Sequence, residues 1–393
     1  MSMTNDAGQA ALRGLPGTIA AVLGHPLDRV WEKAVLDVPR HRFLPETIWL
    51  GDDLRPCSRT TAPEDWLTAA YADQAVVTQI NDGDPPQDAD QWWASCSASQ
   101  PSIVLRMLHM LGVEDGHEVL EIGTGTGWNA ALLAHRLGPR HVTSIELDPA
   151  LAATASENLR ALGLHPRLIT ADGSEPIAGP RVDRLVATCS VRRVPPAWLT
   201  QVRAGGIILT PWETPWLCYG LLRLEAGEGG AASGRFSLHS AFMLMRNQRT
   251  DLRIFRDVVR DEHVPDESVT SLSPWAVTGP DFAAQFAIGL QLEAVWHTWH
   301  DRPDVPGVAA RLWLATTDAT SWAAVDVAGG REDRFAVWEY GPRRLWTEVH
   351  AAHQWWTTMG EPGPERFGMT ISPDGHHRAW LDTSDRLVPP YVA

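Results

Sequence analysis

The residues of this chain best suited to chemistry are Val119-Leu120-Glu121-Ile122-Gly123-Thr124-Gly125-Thr126-Gly127, which lead at once into the helix-forming stretch Asn129–Leu137. Here an apolar strand runs into a glycine-rich turn. Glycine lacks the Cβ that would block a close approach, so the backbone can pass near a nucleoside ligand. Glu146 follows Gly127 by 19 residues and closes the next apolar run. At that strand tip a carboxylate can accept both hydroxyls of a ribose.

Dinucleotide-binding chains carry similar glycines, so the turn alone does not identify the ligand. Here the glycines alternate, without the wider final gap of a pyrophosphate loop. Glu121 stands just before the first of them, where it would repel a pyrophosphate and could face an ammonium group. These two features favour S-adenosyl-L-methionine, which has an amine and no phosphate, over NAD.

The elements that must position these residues form a regular series from Pro101 onward. A helical stripe (Ile103, Val104, Met107, Leu108, Leu111) ends at Gly112. Strand and helix signals then alternate over 118–122, 129–137, 142–146, 149–164, 167–170, 183–188, 195–202 and 207–211. That alternation predicts a parallel, doubly wound sheet, with ligands at the carboxyl ends of its strands, where Gly123–Gly127, Glu146, Asp172 and Thr188 fall. Beyond about residue 214 successive strands predominate. A helix opened by Gly341-Pro342 follows, then a hairpin about Pro373-Asp374-Gly375, the pattern of a smaller α+β domain. Residues 1 to about 25 read as a loose lead-in, Pro26–Val38 as a helix, and Asn81–Asp90 as a loop.

The chain has 393 residues, enough for two domains, and a net charge of −15, which argues against a nucleic-acid backbone as partner. Cys57, Cys96, Cys189 and Cys218 show no paired spacing, no run is apolar enough to span a bilayer, and no signal peptide is evident. The expectation is a cytoplasmic protein without a membrane partner. Fifteen histidines include His297/His300 and His376-His377, but neither pair has a third ligand at metal spacing, so no metal is expected.

Several ordered segments resemble protein-L-isoaspartate O-methyltransferases. They are Val38-Pro39-Arg40-His41-Arg42-Phe43, Tyr71-Ala72-Asp73, Ser97-Ala98-Ser99-Gln100-Pro101, Val119–Gly127, Asp172-Gly173, Val194-Pro195 and Gly205-Gly206, within residues 26 to 212. The resemblance implies a Rossmann-like class I methyltransferase sheet with an N-terminal helical lead-in, to which the residue pattern adds a smaller α+β C-terminal domain. The expected division is an N-terminal helical segment and substrate loop at 1–100, the S-adenosyl-L-methionine-binding domain at 101–213, and a candidate peptide-binding α+β domain at 214–393. The resemblance assigns cofactor contacts to Glu121, Gly123, Thr124, Gly125, Gly127, Asn129, Glu146, Leu147, Asp172, Gly173 and Thr188. Ser99 becomes the residue that orients the acceptor, with Ser97, Gln100 and Val194 beside it. An acceptor carboxylate has an ordinary pKa near ~4 and is already nucleophilic at neutral pH, so donors to hold it matter more than a base.

The pattern departs from the family beside the acceptor. Gln100 interrupts the usual Ser-Ala-Pro, and Thr188-Cys189-Ser190-Val191-Arg192-Arg193 replaces a small glycine/alanine stretch. About 180 residues follow that simple repair enzymes lack. Phe335–Trp346 and Arg366–Thr370 within them resemble actinobacterial methyltransferases of ribosomal-peptide maturation systems, such as those of ATP-grasp peptide maturases, which esterify an aspartate that can then close to an aspartimide. Trp346 and Trp356 read as core, and Arg343 and Arg344 could pair with acidic residues of a peptide. The resulting expectation is a carboxyl O-methyltransferase acting on an aspartyl or isoaspartyl side chain of a modified precursor peptide. The alternatives are isoaspartyl repair and a non-catalytic, peptide-recruiting role. The oligomeric state stays open.

Overall fold

In the computed structural model, described over residues 2–84, 92–217, 220–237, 240–328 and 333–389, the chain divides into two compact units. The first comprises residues 1–189, 195–210 and 223–232, and the second residues 190–194, 211–222 and 233–393. Cys218 and most of the acidic stretch read as a loop (85–90) lie outside the described residues.

The first unit opens with two helices, α1 (Ser2–Leu23) and α2 (Arg29–Asp37), and a third, α3 (Pro63–Tyr71), lies between the second and third strands of its first sheet. The lead-in read as loose is therefore helical. Leu15 and Ile19 are almost wholly buried, and tertiary packing overrides Gly14, Pro16 and Gly17, which weaken the helical signal in the sequence. A four-stranded sheet follows: β1 (Thr47–Leu50), β2 (Arg55–Ser58), β3 (Val76–Ile80) and β4 (Ala94–Ala98), in the order β2-β1-β3-β4. The serine-rich run before Pro101 is thus the strand β4 rather than a loop.

Next come α4 (Pro101–Leu111), β5 (Val119–Ile122), α5 (Trp128–Leu137), β6 (Val142–Glu146), α6 (Pro149–Arg160) and β7 (Arg167–Thr170). The series ends with β8 (Val182–Ala187), α7 (Pro196–Gln201) and β9 (Val202–Pro211). The strands lie in the order β9-β8-β5-β6-β7 and pair in parallel. The chain winds from β5 to one side through β6 and β7, then to the other through β8 and β9. Strand β5 is therefore the switch point, where an open α/β sheet leaves a crevice for a ligand. All four of its residues are buried, which is why it reads as an unbroken apolar run around Glu121.

Strands β10 (Leu221–Ala226) and β11 (Ala232–Ser237) have residues in both units. In the second unit, β12 (Asp266–Thr270), α8 (Pro274–Thr278), α9 (Phe282–Gln291), β13 (Val295–Asp301), β14 (Val308–Thr316), β15 (Trp322–Ala328) and β16 (Phe335–Tyr340) follow. These five strands form an antiparallel sheet ordered β12-β16-β15-β14-β13. Helix α10 (Leu345–Thr358) and the hairpin of β17 (Phe367–Ile371) and β18 (His377–Leu381) complete it. Strand alternation divides the side chains. Leu312 and Leu314 enter one core with Trp346 and Val349, while Trp313 and Ala315 enter another with Trp322. Trp346 and Trp356 are buried, as core residues should be. Arg343 and Arg344, by contrast, are already paired within the chain, with Glu348 and Asp266. An acidic peptide segment would have to compete with these pairs for the two guanidinium groups.

Candidate functional site

The glycine turn leaves β5 with Gly123 at φ +93° and Gly125 at φ +54°, backbone that other residues rarely adopt. A Cβ on Gly123 would also lie 2.7 Å from Thr188 Oγ1, which donates to the Gly123 carbonyl. Gly123 and Thr124 both donate to the Ile145 carbonyl (2.8 and 3.1 Å), tying the turn to β6. Gly127 N–H donates to Thr124 O, and its own carbonyl accepts from Ala131 to start α5.

Glu146, expected to meet a ribose, is nearly buried at the tip of β6. Its Oε2 accepts Gly125 N–H at 2.8 Å and its Oε1 accepts Asp148 N–H at 3.0 Å, so both oxygens are held in place. Beside it Leu147 is 41% exposed, an apolar side chain left at a strand tip where an adenine could pack. Asp172 accepts the N–H and hydroxyl of Ser174, both at 2.8 Å, and so closes its own turn. Gly173 is fixed by packing, because a Cβ there would come within 2.5 Å of Ile122 Cγ2, and its carbonyl accepts Trp198 Nε1–H at 2.7 Å.

Glu121 is fully buried. Asn129 Nδ2 donates to its Oε1 at 2.7 Å and Ser144 Oγ donates to its Oε2; Ser144 also meets Thr124 Oγ1 at 2.6 Å. Burial pushes its carboxyl up to about 7, against these hydrogen bonds and aided by the charge of Glu146. A cationic ligand over the turn would favour its ionised form. The glycine backbone, the exposed Leu147 and the oriented Glu146 are compatible with the nucleoside, and Glu121 with the ammonium, of S-adenosyl-L-methionine.

Of the acceptor candidates, Ser97 lies on β4 and Ser99 and Gln100 follow it directly; β4 is seated at the same turn, where a Cβ on Gly125 would be in contact with Cys96 Sγ, 3.4 Å away. Ser95 donates to Gln79 Oε1 (2.9 Å), and Gln79 donates to Asp148 (2.9 Å), anchoring β4 and β3 to the residue that caps α6. The Ser97 and Ser99 side chains are half-buried, and their hydroxyls have no hydrogen-bond partner among the described residues. Gln100 is committed elsewhere: its amide donates to Asp73 (2.9 Å) and Ser102 (3.1 Å), while Asp73 caps α4 through Ser102 N–H at 2.7 Å. Val194 belongs to the second unit, and its N–H donates to His377 Nε2 at 3.0 Å. That N–H cannot serve as a donor to an acceptor carboxylate.

Arg40 was quoted in the sequence only as part of a motif. It is completely buried and donates to the carbonyls of Ala70 (2.9 Å), Ala72 (3.4 Å), Gln74 (3.0 Å), Ala98 (2.9 Å) and Ser99 (3.0 Å). It thus fixes the backbone that carries Ser99. Burial lowers its pKa to about 10, opposed by Asp73, so it remains charged at neutral pH. An arginine between two apolar positions, Val38 and Phe43, was the available signal for such a buried cation. Among the described residues no group of three side chains could hold a metal, and no helix is long and apolar enough to cross a membrane.

Fold and site together define a class I methyltransferase that uses S-adenosyl-L-methionine. A family model described as Protein-L-isoaspartate(D-aspartate) O-methyltransferase matches residues 59–218. The chain is 34% identical over 185 residues to the protein-L-isoaspartate O-methyltransferase of Ignicoccus hospitalis, covering 46% of this chain and 72% of that one. It is 31% identical over 191 residues to the enzyme of that name from Methanosarcina mazei, covering 48% and 65%. The chain belongs to the protein-L-isoaspartate O-methyltransferase family and is a carboxyl O-methyltransferase. A solved structure titled protein-L-isoaspartate O-methyltransferase has a similar fold at 19% identity and TM-score 0.55, over 95% of this chain and 100% of its own.

Proposed function

We propose that the chain esterifies the side-chain carboxylate of an aspartyl or isoaspartyl residue in a peptide, and that its substrate is a ribosomally made, modified precursor. The observation that carries the acceptor side is the pair of half-buried hydroxyls of Ser97, on the strand in contact with the glycine turn, and Ser99, just after it, which have no hydrogen-bond partner among the described residues. Glu121, Gly123, Thr124, Gly125, Gly127, Asn129, Glu146, Leu147, Asp172, Gly173 and Thr188 would hold the cofactor. S-adenosyl-L-methionine supplies an electrophilic methyl on a sulfonium. An ionised carboxylate needs no base, so the chain's work is to align it and to exclude water. Ser99 would donate to one carboxylate oxygen, Arg40 would fix the Ser99 backbone, and Gln100 with Asp73 would fix the start of α4. The methyl ester can then lose methanol when a neighbouring backbone amide nitrogen attacks its carbonyl, its proton leaving with methoxide, to give an aspartimide.

Isoaspartyl repair is an equally supported second reading, favoured by the family match and by the whole-length fold likeness. Mass spectrometry of methyl transfer to a linear isoaspartyl peptide and to a macrocyclised aspartate-containing peptide separates the two. A gain of one methyl followed by methanol loss on the cyclised peptide alone supports maturation. Efficient transfer to the linear isoaspartyl peptide alone establishes repair.

A further inference from the structure

Strand β4 meets the cofactor turn by two routes, both inside the first unit. The direct one is Cys96, whose Sγ lies 3.4 Å from where a Cβ on Gly125 would stand. The indirect one starts at the neighbouring residue. Ser95 Oγ donates to Gln79 Oε1 (2.9 Å), and Gln79 Nε2 donates to Asp148 Oδ2 (2.9 Å). Asp148 N–H donates to Glu146 Oε1 (3.0 Å), and Gly125 N–H donates to Glu146 Oε2 (2.8 Å). Ser95, Gln79, Asp148, Glu146, Gly125 and Cys96 thus close a ring that runs from β4 through the tip of β6 and back. Ser95, Asp148 and Glu146 are all buried, so these hydrogen bonds are sheltered from water.

Gln79 is the member of the ring with the most demanding chemistry. Asp148 Oδ1 caps α6 by accepting the N–H groups of Ala150 (2.8 Å) and Leu151 (3.2 Å), which leaves Oδ2 for Gln79. A carboxylate only accepts, so the amide must turn its NH2 to Asp148 and its oxygen to Ser95. A glutamate there would set two carboxylates against each other, and an apolar side chain would supply neither bond. The backbone is shaped to aim this amide: the β3–β4 ladder shifts register on both sides of Gln79, and such irregularities redirect a side chain. A ring of this kind links its two ends energetically. Order imposed at Glu146 lowers the cost of ordering β4, and the reverse holds to the same degree.

We propose that Gln79 is a positioning residue that couples strand β4 to the cofactor turn, so that cofactor and acceptor peptide each tighten the binding of the other. This rests on the functional reading above, in which Glu146 meets the cofactor and the peptide carboxylate meets Ser99. The test uses the full chain and its Gln79→Met, Gln79→Glu and Gln79→Glu/Asp148→Asn variants. S-adenosyl-homocysteine binding is measured by calorimetry without peptide and with saturating peptide. The peptide is the linear isoaspartyl or the macrocyclised aspartate-containing one, whichever the wild type methylates. In the wild type, peptide should tighten S-adenosyl-homocysteine binding about fivefold or more. In Gln79→Met and Gln79→Glu that tightening should fall below about twofold, with binding in the absence of peptide changed less than about threefold. In the double variant the amide at position 148 still caps α6 and can donate to the carboxylate at position 79, so most of the tightening should return. A merely structural role for Gln79 would weaken binding equally with and without peptide and leave the tightening intact. Tightening that is absent from the wild type, retained by Gln79→Met or not recovered by the double variant would overturn the coupling. A wild-type chain that binds S-adenosyl-homocysteine but methylates neither peptide would overturn the functional reading, and the coupling with it.

Discussion

At the scale of single residues, the site separates into two groups that different mutations should distinguish. Glu146 has both carboxylate oxygens fixed by Gly125 and Asp148, so its carboxylate is oriented before any ligand arrives. Losing hydrogen bonds to a charged group costs about 1.5–3 kcal/mol, equivalent to roughly ten- to a hundred-fold in affinity. Glu146→Ala should weaken S-adenosyl-homocysteine binding by that factor in calorimetry, and an unchanged dissociation constant would remove Glu146 from the cofactor. Ser99 has its backbone held by Arg40 and its hydroxyl without a partner. Ser99→Ala should therefore lower turnover of the peptide about tenfold or more while leaving cofactor affinity within twofold. Undiminished transfer would move the acceptor elsewhere, with Ser97 the next hydroxyl on the strand.

At the scale of elements, the parallel sheet was legible because its strands are buried apolar runs broken by glycines, acidic tips and helix stripes. Pro101–Leu111, for example, ends where Gly112 takes φ +61°. The N-terminal sheet was not legible. Arg55–Ser58 exposes two of its four residues and contains a proline, and Ser95-Cys96-Ser97 alternates small side chains that carry no hydrophobic period. The cofactor turn could be read in the sequence because its residues are contiguous. The support of the Ser99 backbone could not, since Arg40 reaches Ala98 and Ser99 across 58 and 59 residues. Arg40 joins α3, its following turn and β4 through carbonyls, a fork geometry that lysine cannot reproduce. Arg40→Lys should destabilise the chain by about 2–3 kcal/mol in urea unfolding, from charged hydrogen bonds lost in a buried site. It should also reduce peptide turnover more than cofactor binding. A loss below about 0.5 kcal/mol would show that the carbonyls find other partners.

At the scale of the whole molecule, the buried Glu121 couples the cofactor turn to stability. Its carboxyl is raised by burial to about 7, against an ordinary value near ~4.3. Between these values the native state binds more protons than the unfolded chain, so stability falls as pH rises. The contribution is fully present below about pH 4 and is lost above about pH 7, a total of roughly 4 kcal/mol at about 1.36 kcal/mol per unit. Glu121→Gln removes that ionisation while its amide oxygen can still accept from Asn129 and its NH2 can donate to the Ser144 hydroxyl. The variant should therefore gain about 2 kcal/mol on the wild type between pH 5.5 and pH 8. The two units can unfold in separate steps, so the transition to follow is the one that S-adenosyl-homocysteine shifts upward. Parallel pH profiles for wild type and variant would mean that Glu121 is ionised throughout that range in the folded chain. A widening gap would mean that the turn holds a protonated carboxyl, which a cationic cofactor must ionise as it binds.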